Sequence, residues 1–433
     1  MDFAESQEYL LSLGFELSVK KFGLGNTKVL LEALGHPERR YLKVQVAGTN
    51  GKGSTCAFLE SILLAAGLKV GLNTSPHLVS ITERVRLNGR DIAEEDFARL
   101  ATVVRETGER LVREGRLEAL PTYFEHVTAI ALVVFAEAGV DVAILETGLG
   151  GRFDATTAAR SEVAVLTPID LDHMKTLGDT IAKIAAEKAE IIRPDTDVVI
   201  SGQPDEALEV LDAKCEDCGI EPLMADAVQV EREDGEMTFH FEGAAYGPVW
   251  LSLAGDHQID NAATAIAAAE VLRRRGVRIS REDIVRGLTT AVHRGRLEWR
   301  DGILFDGAHN VSGARALRKY IEANVEGPIT MMFAAMEGKD LGEISKILFP
   351  LAERLIFVKP SNPRAMEVED LVKFAPNGFP GENVFTPCSI AEAAALAERF
   401  KGEGTMLVTG SLYLIGDIQA HLLKQNMAVR KKH

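Results

Sequence analysis

Residues 41–65 read YLKVQVAGTNGKGSTCAFLESILLA, and their order decides the fold. YLKVQVA is an apolar run of strand length, GTNGKG is a glycine turn with one lysine, and STCAFLESILLA has helical length and spacing. A strand that passes through a glycine turn into a helix is the repeating unit of a parallel sheet. The same rhythm returns at LKVGLNT, VDVAILET and SEVAVLTPI, with helical patterns between them. VAILE and VAVLT lack polar alternation, so these strands are expected to be buried on both faces. The fold class is α/β.

With 433 residues and 46% hydrophobic content, the chain exceeds the roughly 250–300 residues that one core serves, and two domains are expected. The net charge of −16 is spread along the chain. It argues against a nucleic-acid surface, and any anionic substrate must be held by local cations. The four cysteines, Cys56, Cys215, Cys218 and Cys388, are too few and too uneven for a disulfide framework, which points to a reducing, cytoplasmic compartment. KCEDCGI holds one CxxC pair, but no second pair or nearby histidine completes a zinc site. MDFAESQEYLLSLGF lacks the basic region of a signal peptide, and no apolar run reaches membrane-spanning length.

Between about 224 and 254 the texture changes to alternation, as in MTFHFEG, which predicts an antiparallel ribbon at the edge of the first domain. HRGRLEWRDG supplies glycine and charge for a boundary, placed at residue 295. The domains are thus 1–295 and 296–433, the second a smaller doubly wound series beginning with GILFDGAHN. The closing KQNMAVRKKH reads as a frayed basic end.

The glycine turn has two readings on its residues alone. As a phosphate cradle, Gly48, Thr49, Asn50, Gly51 and Gly53 bring backbone N–H groups toward an anion at a helix N-terminus. Lys52 then adds a charge at the β and γ phosphates, and Ser54 or Thr55 a hydroxyl for Mg²⁺. As a plain strand-to-helix turn, it needs glycine only for backbone reasons. The stretch departs from GxxxxGK[ST], because Val46 stands where the first glycine belongs and Gly53 follows the lysine. Glu146, ending VDVAILE, and His173, shortly after EVAVLTP, fall where the crevice of an open parallel sheet should lie, and together with the turn they favour a nucleotide and metal site.

AGTNGKGST, TSPHL with ITERVRLNG, LETGLGGRFDAT, LDHMKTLGDTIAKIAAEKA, GDHQIDNAATA, GRLE and DGAHN occur in one order along the whole chain. That ordered set resembles folylpolyglutamate synthase, including the bifunctional bacterial form that is also dihydrofolate synthase, a branch of the Mur ligase superfamily. The resemblance implies an N-terminal P-loop ATP-binding domain and a smaller C-terminal Rossmann-like domain, with the site in the cleft between them and completed by closure. It implies that ATP phosphorylates a carboxylate and that glutamate's amine attacks the resulting acyl phosphate. ATP, L-glutamate and folate or dihydropteroate are the implied substrates, with two Mg²⁺ ions, no nucleic acid, no membrane and a monomeric state.

By the same resemblance, Lys52 and its loop hold the phosphates. Ser54, Ser75 and Glu146 hold the first Mg²⁺, and Glu146 is shared with a second ion bound also by His173. Lys188, in AAEKAEI, is implied to be carbamylated; Asn261, Arg296 and Asp306 to hold ATP; and His309 to act in the cleft. Three positions depart from the usual motifs: Thr157 in DATT, Glu190 in EKAE, and Arg294 before Gly295 and Arg296. Glu190 either opposes a carbamate's charge or points to solvent, the latter being favoured because an unpaired like charge is costly. Arg84 and Arg86 either meet the carboxylates of a polyglutamyl tail or lie on a solvated strand face. Tyr123 and Phe124 open an apolar core helix from which one ring can reach a pterin. A monofunctional folylpolyglutamate synthase, a cell-wall Mur-type ligase and a non-catalytic ATP-binding switch are the alternatives. Glu146, His173 and Lys188 argue against the switch, and Gly53 and TSPHL against the cell-wall enzyme.

Overall fold

The unpolar run LKVQVA becomes β1 (Leu42–Ala47), five of whose six residues are buried. Around it β2 (Val70–Asn73), β3 (Val85–Leu87), β4 (Arg90–Asp91), β5 (Val142–Glu146), β6 (Val163–Leu166), β7 (Asp197–Ile200) and β8 (Leu223–Met224) form one sheet ordered β4-β3-β2-β5-β1-β6-β7-β8. The pairings among β2, β5, β1, β6, β7 and β8 are parallel. β3 and β4, from ERVRLNGRD, add an antiparallel edge. VAILE and VAVL are buried throughout, as expected of strands covered on both faces. The computed structural model describes residues 1–14 and 23–430.

Helix Lys52–Ala65 follows β1 and is buried along most of its length. Helix Arg281–Thr290 packs on it so closely that a Cβ on Gly287 would come within 2.4 Å of the Ile62 backbone. The alternating segment forms β9 (Gln229–Glu233), β10 (Glu236–Phe241) and β11 (Ala244–Val249), with Met237, Phe239 and Phe241 inward. The antiparallel ribbon expected in the first domain is present as a three-stranded sheet separate from the main one, ordered β11-β10-β9. Its apolar face already has partners of its own, and proline in β11 removes a ladder donor.

The chain divides into two compact units, Met1–Ser252 with Gln258–Val292, and Leu253–His257 with His293–His433. The second unit holds β12 (Glu298–Arg300), β13 (Ile303–Asp306), β14 (Ile329–Phe333), β15 (Arg354–Phe357), β16 (Val384–Phe385) and β17 (Thr405–Thr409) in the order β12-β13-β17-β14-β15-β16. Only the β12–β13 pairing is antiparallel. Its core gathers Leu304, Met331, Phe333, Phe349, Phe357 and Leu407. The closing basic segment is not frayed through most of its length. Helix Leu412–Arg430 runs through it because good helix formers continue without glycine or proline after Gly416, and 431–433 lie outside the described residues.

Candidate active site

In a parallel sheet every strand points its C-terminal end the same way, so the loops after β1, β2, β5 and β6 share one edge. The loop after β1 is strapped to the segment after β6. Thr49 N and Asn50 N donate to Pro168 O at 2.9 and 3.1 Å, and Thr49 Oγ1 donates to Asp170 O at 3.0 Å. Two glycines in it are sterically required. A Cβ on Gly48 would sit 1.9 Å from Thr167 Oγ1, and on Gly51, at φ +83°, 2.3 Å from Asn261 Oδ1. Asn261 is itself steadied by donating from Nδ2 to Gln258 Oε1 at 2.9 Å. Helix Lys52–Ala65 then starts with its first-turn N–H groups, including that of Gly53, at this edge. Ser54 is nearly buried, while Thr55 is fully buried and its Oγ1 has no hydrogen-bond partner among the described residues.

Two lysines meet at this loop. Lys52 Nζ donates to Gly48 O at 3.0 Å and Thr49 O at 3.1 Å, and Lys188 Nζ donates to the same Gly48 O at 2.6 Å. Lys188 is only 5% exposed, so burial, and then the neighbouring Lys52 charge, pull its amine down to about 7. The result is a cationic centre in an acidic protein.

Beside it, Glu146 ends β5 in register with Val46 of β1. Its Oε2 accepts from the Thr74 hydroxyl and, at 3.1 Å, from Ser75 N. The carboxylate, Ser75 and the P-loop thus share the sheet edge. His173 stands at φ +51° before the short helix Met174–Leu177, half-exposed, with Nε2 3.9 Å from Asp172 Oδ2. No group of three His, Cys, Asp or Glu side chains among the described residues has a metal-site arrangement. The donors present are one carboxylate and several hydroxyls. Such a set fits Mg²⁺, which takes one or two carboxylates and completes its shell with water and phosphate, and does not fit a soft metal. The CxxC pair ends helix Asp205–Cys218 as free thiols, with no such group around it.

The glycine-rich loop after β5 is shaped by Asp154, whose carboxylate accepts from Gly148 N, Leu149 N and Thr156 N at 2.8, 2.9 and 3.0 Å. Burial raises its pKa against the pull of these bonds. Thr157 donates to Gly151 O at 2.7 Å and accepts from Gln45 Nε2, so the amide missing at this position is replaced by an internal bond. Glu190 is paired with Arg152 at 3.3 Å and Lys214 at 3.2 Å. Its side chain is 31% exposed, on the solvent side as expected, and the two cations in reach neutralise it there. Arg152 further bonds Glu187 through both its backbone and its side chain, tying this loop to the helix that carries Lys188. Sequence reasoning assigned no role to Arg152 or Asp154, although both lie in the quoted LETGLGGRFDAT.

The two arginines of ERVRLNG part company. Arg86 pairs with the buried Glu60 at 3.1 Å and with Asp91 at 3.8 Å, so its charge is met by carboxylates within the fold while its side chain stays 21% exposed. Arg84, 8% exposed, donates from Nε to His77 Nδ1 at 2.8 Å and lies 5.4 Å from the centre of the Tyr123 ring. Tyr123 and Phe124 are both buried at the start of helix Tyr123–Ala138, Phe124 against Gly148 of the loop after β5. His77 was legible in TSPHL but had no assigned role.

In the second unit, Asp306 ends β13, and its carboxylate accepts from Leu297 N and Ala308 N, both at 3.0 Å. Burial raises its pKa, while Arg296 and the two amides oppose that rise. The Arg296 guanidinium lies against Gly307, where a Cβ would be 2.7 Å from Nη1. His309 Nδ1 is 2.7 Å from Gly307 O; a carbonyl only accepts, so Nδ1 carries the proton. Arg296, Asp306 and His309 therefore gather around Gly307, Arg296 from the segment before β12 and the other two from the end of β13, with Arg294 exposed nearby.

The Mur ligase middle domain matches residues 46–269, and the dihydrofolate synthetase C-terminal domain matches residues 297–423. The dihydrofolate synthase/folylpolyglutamate synthase of Bacillus subtilis is 36% identical over 416 residues, covering 93% of this chain and 95% of the relative. That of Escherichia coli is 34% identical over 408 residues, covering 93% and 92%. The structure of Mycobacterium tuberculosis folylpolyglutamate synthase with ADP and AMPPCP superposes with a TM-score of 0.86 at 29% identity, covering 97% of this chain and 99% of that one. E. coli FolC in complex with DHPP and ADP gives 0.85 at 31% identity, covering 99% of each chain. With its glycine turn, paired lysines and β5 carboxylate, the chain belongs to the folylpolyglutamate synthase/dihydrofolate synthase (FolC) family, built on Mur ligase domains.

Proposed function

We propose that this protein is an ATP-dependent carboxylate-amine ligase that joins L-glutamate to tetrahydrofolate and its glutamylated forms, and also to dihydropteroate. The observation that carries the reading is the meeting of the Lys52 and Lys188 amines on the Gly48 carbonyl, beside a carboxylate that already collects Thr74 and Ser75. Residues 1–295 serve as the ATP-binding domain and 296–433 as the ligase domain. We assign the protein to the cytoplasm as a monomer.

In this reading the loop Gly48–Thr55 cradles the β and γ phosphates, Lys52 leaves its carbonyl partners for them, and Asn261, Arg296 and Asp306 hold the rest of the nucleotide. Ser54, Ser75 and Glu146 hold one Mg²⁺ and Glu146 with His173 a second; when bound, these ions neutralise charge on the phosphates. Lys188 suits carbamylation. An amine near pKa 7 is substantially unprotonated at neutral pH, so its lone pair can add to CO₂ and release a proton. The carboxylate-like group so formed has Lys52 beside it as a counter-charge.

The acceptor carboxylate attacks the γ phosphorus and ADP leaves, giving an acyl phosphate. The amine of glutamate adds to the acyl carbon, loses a proton, and expels phosphate as the amide forms. Carboxylate is a poor electrophile and phosphate a good leaving group, so the ATP is what makes the second step downhill. His309, with its proton at Nδ1, is assigned to the reacting groups.

The test is ADP release by the purified protein with Mg-ATP and glutamate, comparing dihydropteroate, tetrahydrofolate and no acceptor, with products weighed by mass spectrometry. A glutamate-dependent mass gain on both pterins is expected. Gain on tetrahydrofolate alone narrows the enzyme to polyglutamylation, and no gain on either with ATP still bound overturns the ligase reading.

A further inference from the structure

Burying a guanidinium removes it from water, and proteins normally supply a carboxylate in exchange. Arg86 follows this rule through Glu60 and Asp91. Arg84, two residues earlier and more than nine-tenths buried, does not. Among the described residues no carboxylate lies within ion-pairing distance of it, and its hydrogen bond runs from Nε to His77, with the Tyr123 ring against its plane. His77 thereby occupies the side nitrogen and leaves the Nη1–Nη2 end of the fork, the geometry that takes both oxygens of one carboxylate.

The position of Arg84 says which anion belongs there. Its carbonyl accepts from Asn73 Nδ2 at 2.9 Å and Thr74 N at 3.1 Å, and Thr74 is the residue whose hydroxyl reaches Glu146. Arg84 is therefore tied to the same sheet edge as the metal-binding carboxylate. It precedes β3, however, which lies three strands from β1 in the order β3-β2-β5-β1, or about 14 Å at the usual strand spacing. The phosphates sit at the β1 loop, so Arg84 is not a phosphate ligand.

Nor does a bidentate fork suit the carboxylate that reacts. Occupying both its oxygens and neutralising its charge would blunt its attack on phosphorus. We propose that Arg84, aligned by His77 and Tyr123, binds the non-reacting α-carboxylate of the terminal glutamyl residue of the folate acceptor. It is then a specificity residue for glutamylated acceptors over dihydropteroate, whose single carboxylate is the one that reacts. This rests on the ligase reading above.

The test measures binding of tetrahydrofolate and of its α-carboxamide analogue, with AMPPCP in place of ATP and no glutamate, so that no chemistry intervenes. Wild type is expected to prefer tetrahydrofolate by about 10–100-fold, the value of a charged hydrogen-bonded contact. Arg84→Met should bind both ligands alike, at the carboxamide's affinity, with AMPPCP affinity changed by less than about 2-fold. In turnover, its KM for tetrahydrofolate should rise while its KM for dihydropteroate stays put. A variant that still discriminates, or that loses both ligands equally, overturns the assignment. A wild type that binds both equally overturns it while sparing the ligase reading, whereas a wild type that binds neither sinks the ligase reading as well. Should Arg84→Met not fold, phenylglyoxal labelling of wild type decides: tetrahydrofolate should protect Arg84, the carboxamide should not, and equal protection by both refutes the proposal.

Discussion

The depressed amine of Lys188 sets stability against function, and the size of the conflict follows from the structure. In the unfolded chain this amine keeps its ordinary value of 10.5, while in the folded one burial and Lys52 bring it to about 7. Between those values the unfolded state holds the extra proton, so stability rises with pH. The cost of burying Lys188 is thus full below about pH 7 and gone above about 10.5. At 1.36 kcal/mol per pH unit, a fall from 10.5 to about 7 is worth about 5 kcal/mol. Lys188→Met removes that cost but also the 2.6 Å bond to Gly48 O, worth about 1–1.5 kcal/mol. In protein free of metal and CO₂, the variant should be more stable than wild type by about 3 kcal/mol at pH 6 and by less than about 1 kcal/mol at pH 9. Ligation by the variant should be nearly abolished. Native-state hydrogen exchange across Leu42–Ala47, corrected for intrinsic rates, measures the gap strand by strand. A gap that is absent, or that does not shrink between pH 6 and 9, refutes the argument that this lysine is held near neutrality by its surroundings.

Glu146→Gln keeps the size of the side chain but not its charge, so ligation should fall by about 10²–10³-fold with folding intact, as read by product mass and circular dichroism. Full activity in that variant would remove Glu146 from the metal assignment. Gly51→Ala forces a Cβ onto Asn261 Oδ1 at φ +83°, and should cost about 1–3 kcal/mol and weaken ATP binding in calorimetry. Glu190→Gly breaks two partly exposed ion pairs, so the melting free energy should drop by less than about 1 kcal/mol and turnover should change less than about twofold. A large loss there would mean that the Arg152–Glu190–Lys214 link positions Lys188.

Much of this protein was legible before any coordinates. Local rules suffice to read a strand, a glycine turn and a helix in YLKVQVAGTNGKGSTCAFLESILLA, and an unpolar VAILE as a strand covered on both faces, because periodicity and turn chemistry act over a few residues. The ordered motifs carried the family, since each of them is a contiguous stretch. The sequence also exposed Glu146, Lys52 and His173 as candidates by their place after strands.

What tertiary structure alone decided are relations between residues far apart in the chain. No spacing rule brings Lys188 to the carbonyl of Gly48, 140 positions away, or lowers its amine; burial and the nearby Lys52 charge do that only once helix and loop have met. The separate sheet of β9, β10 and β11 is another such outcome, because alternation reveals that a strand has one buried face but not which surface buries it. The same holds for Arg84 and Arg86, alike on paper. Folding gives Arg86 Glu60 for a partner and Arg84, among the described residues, His77 and Tyr123, because a counter-ion is supplied by whatever chain packs alongside.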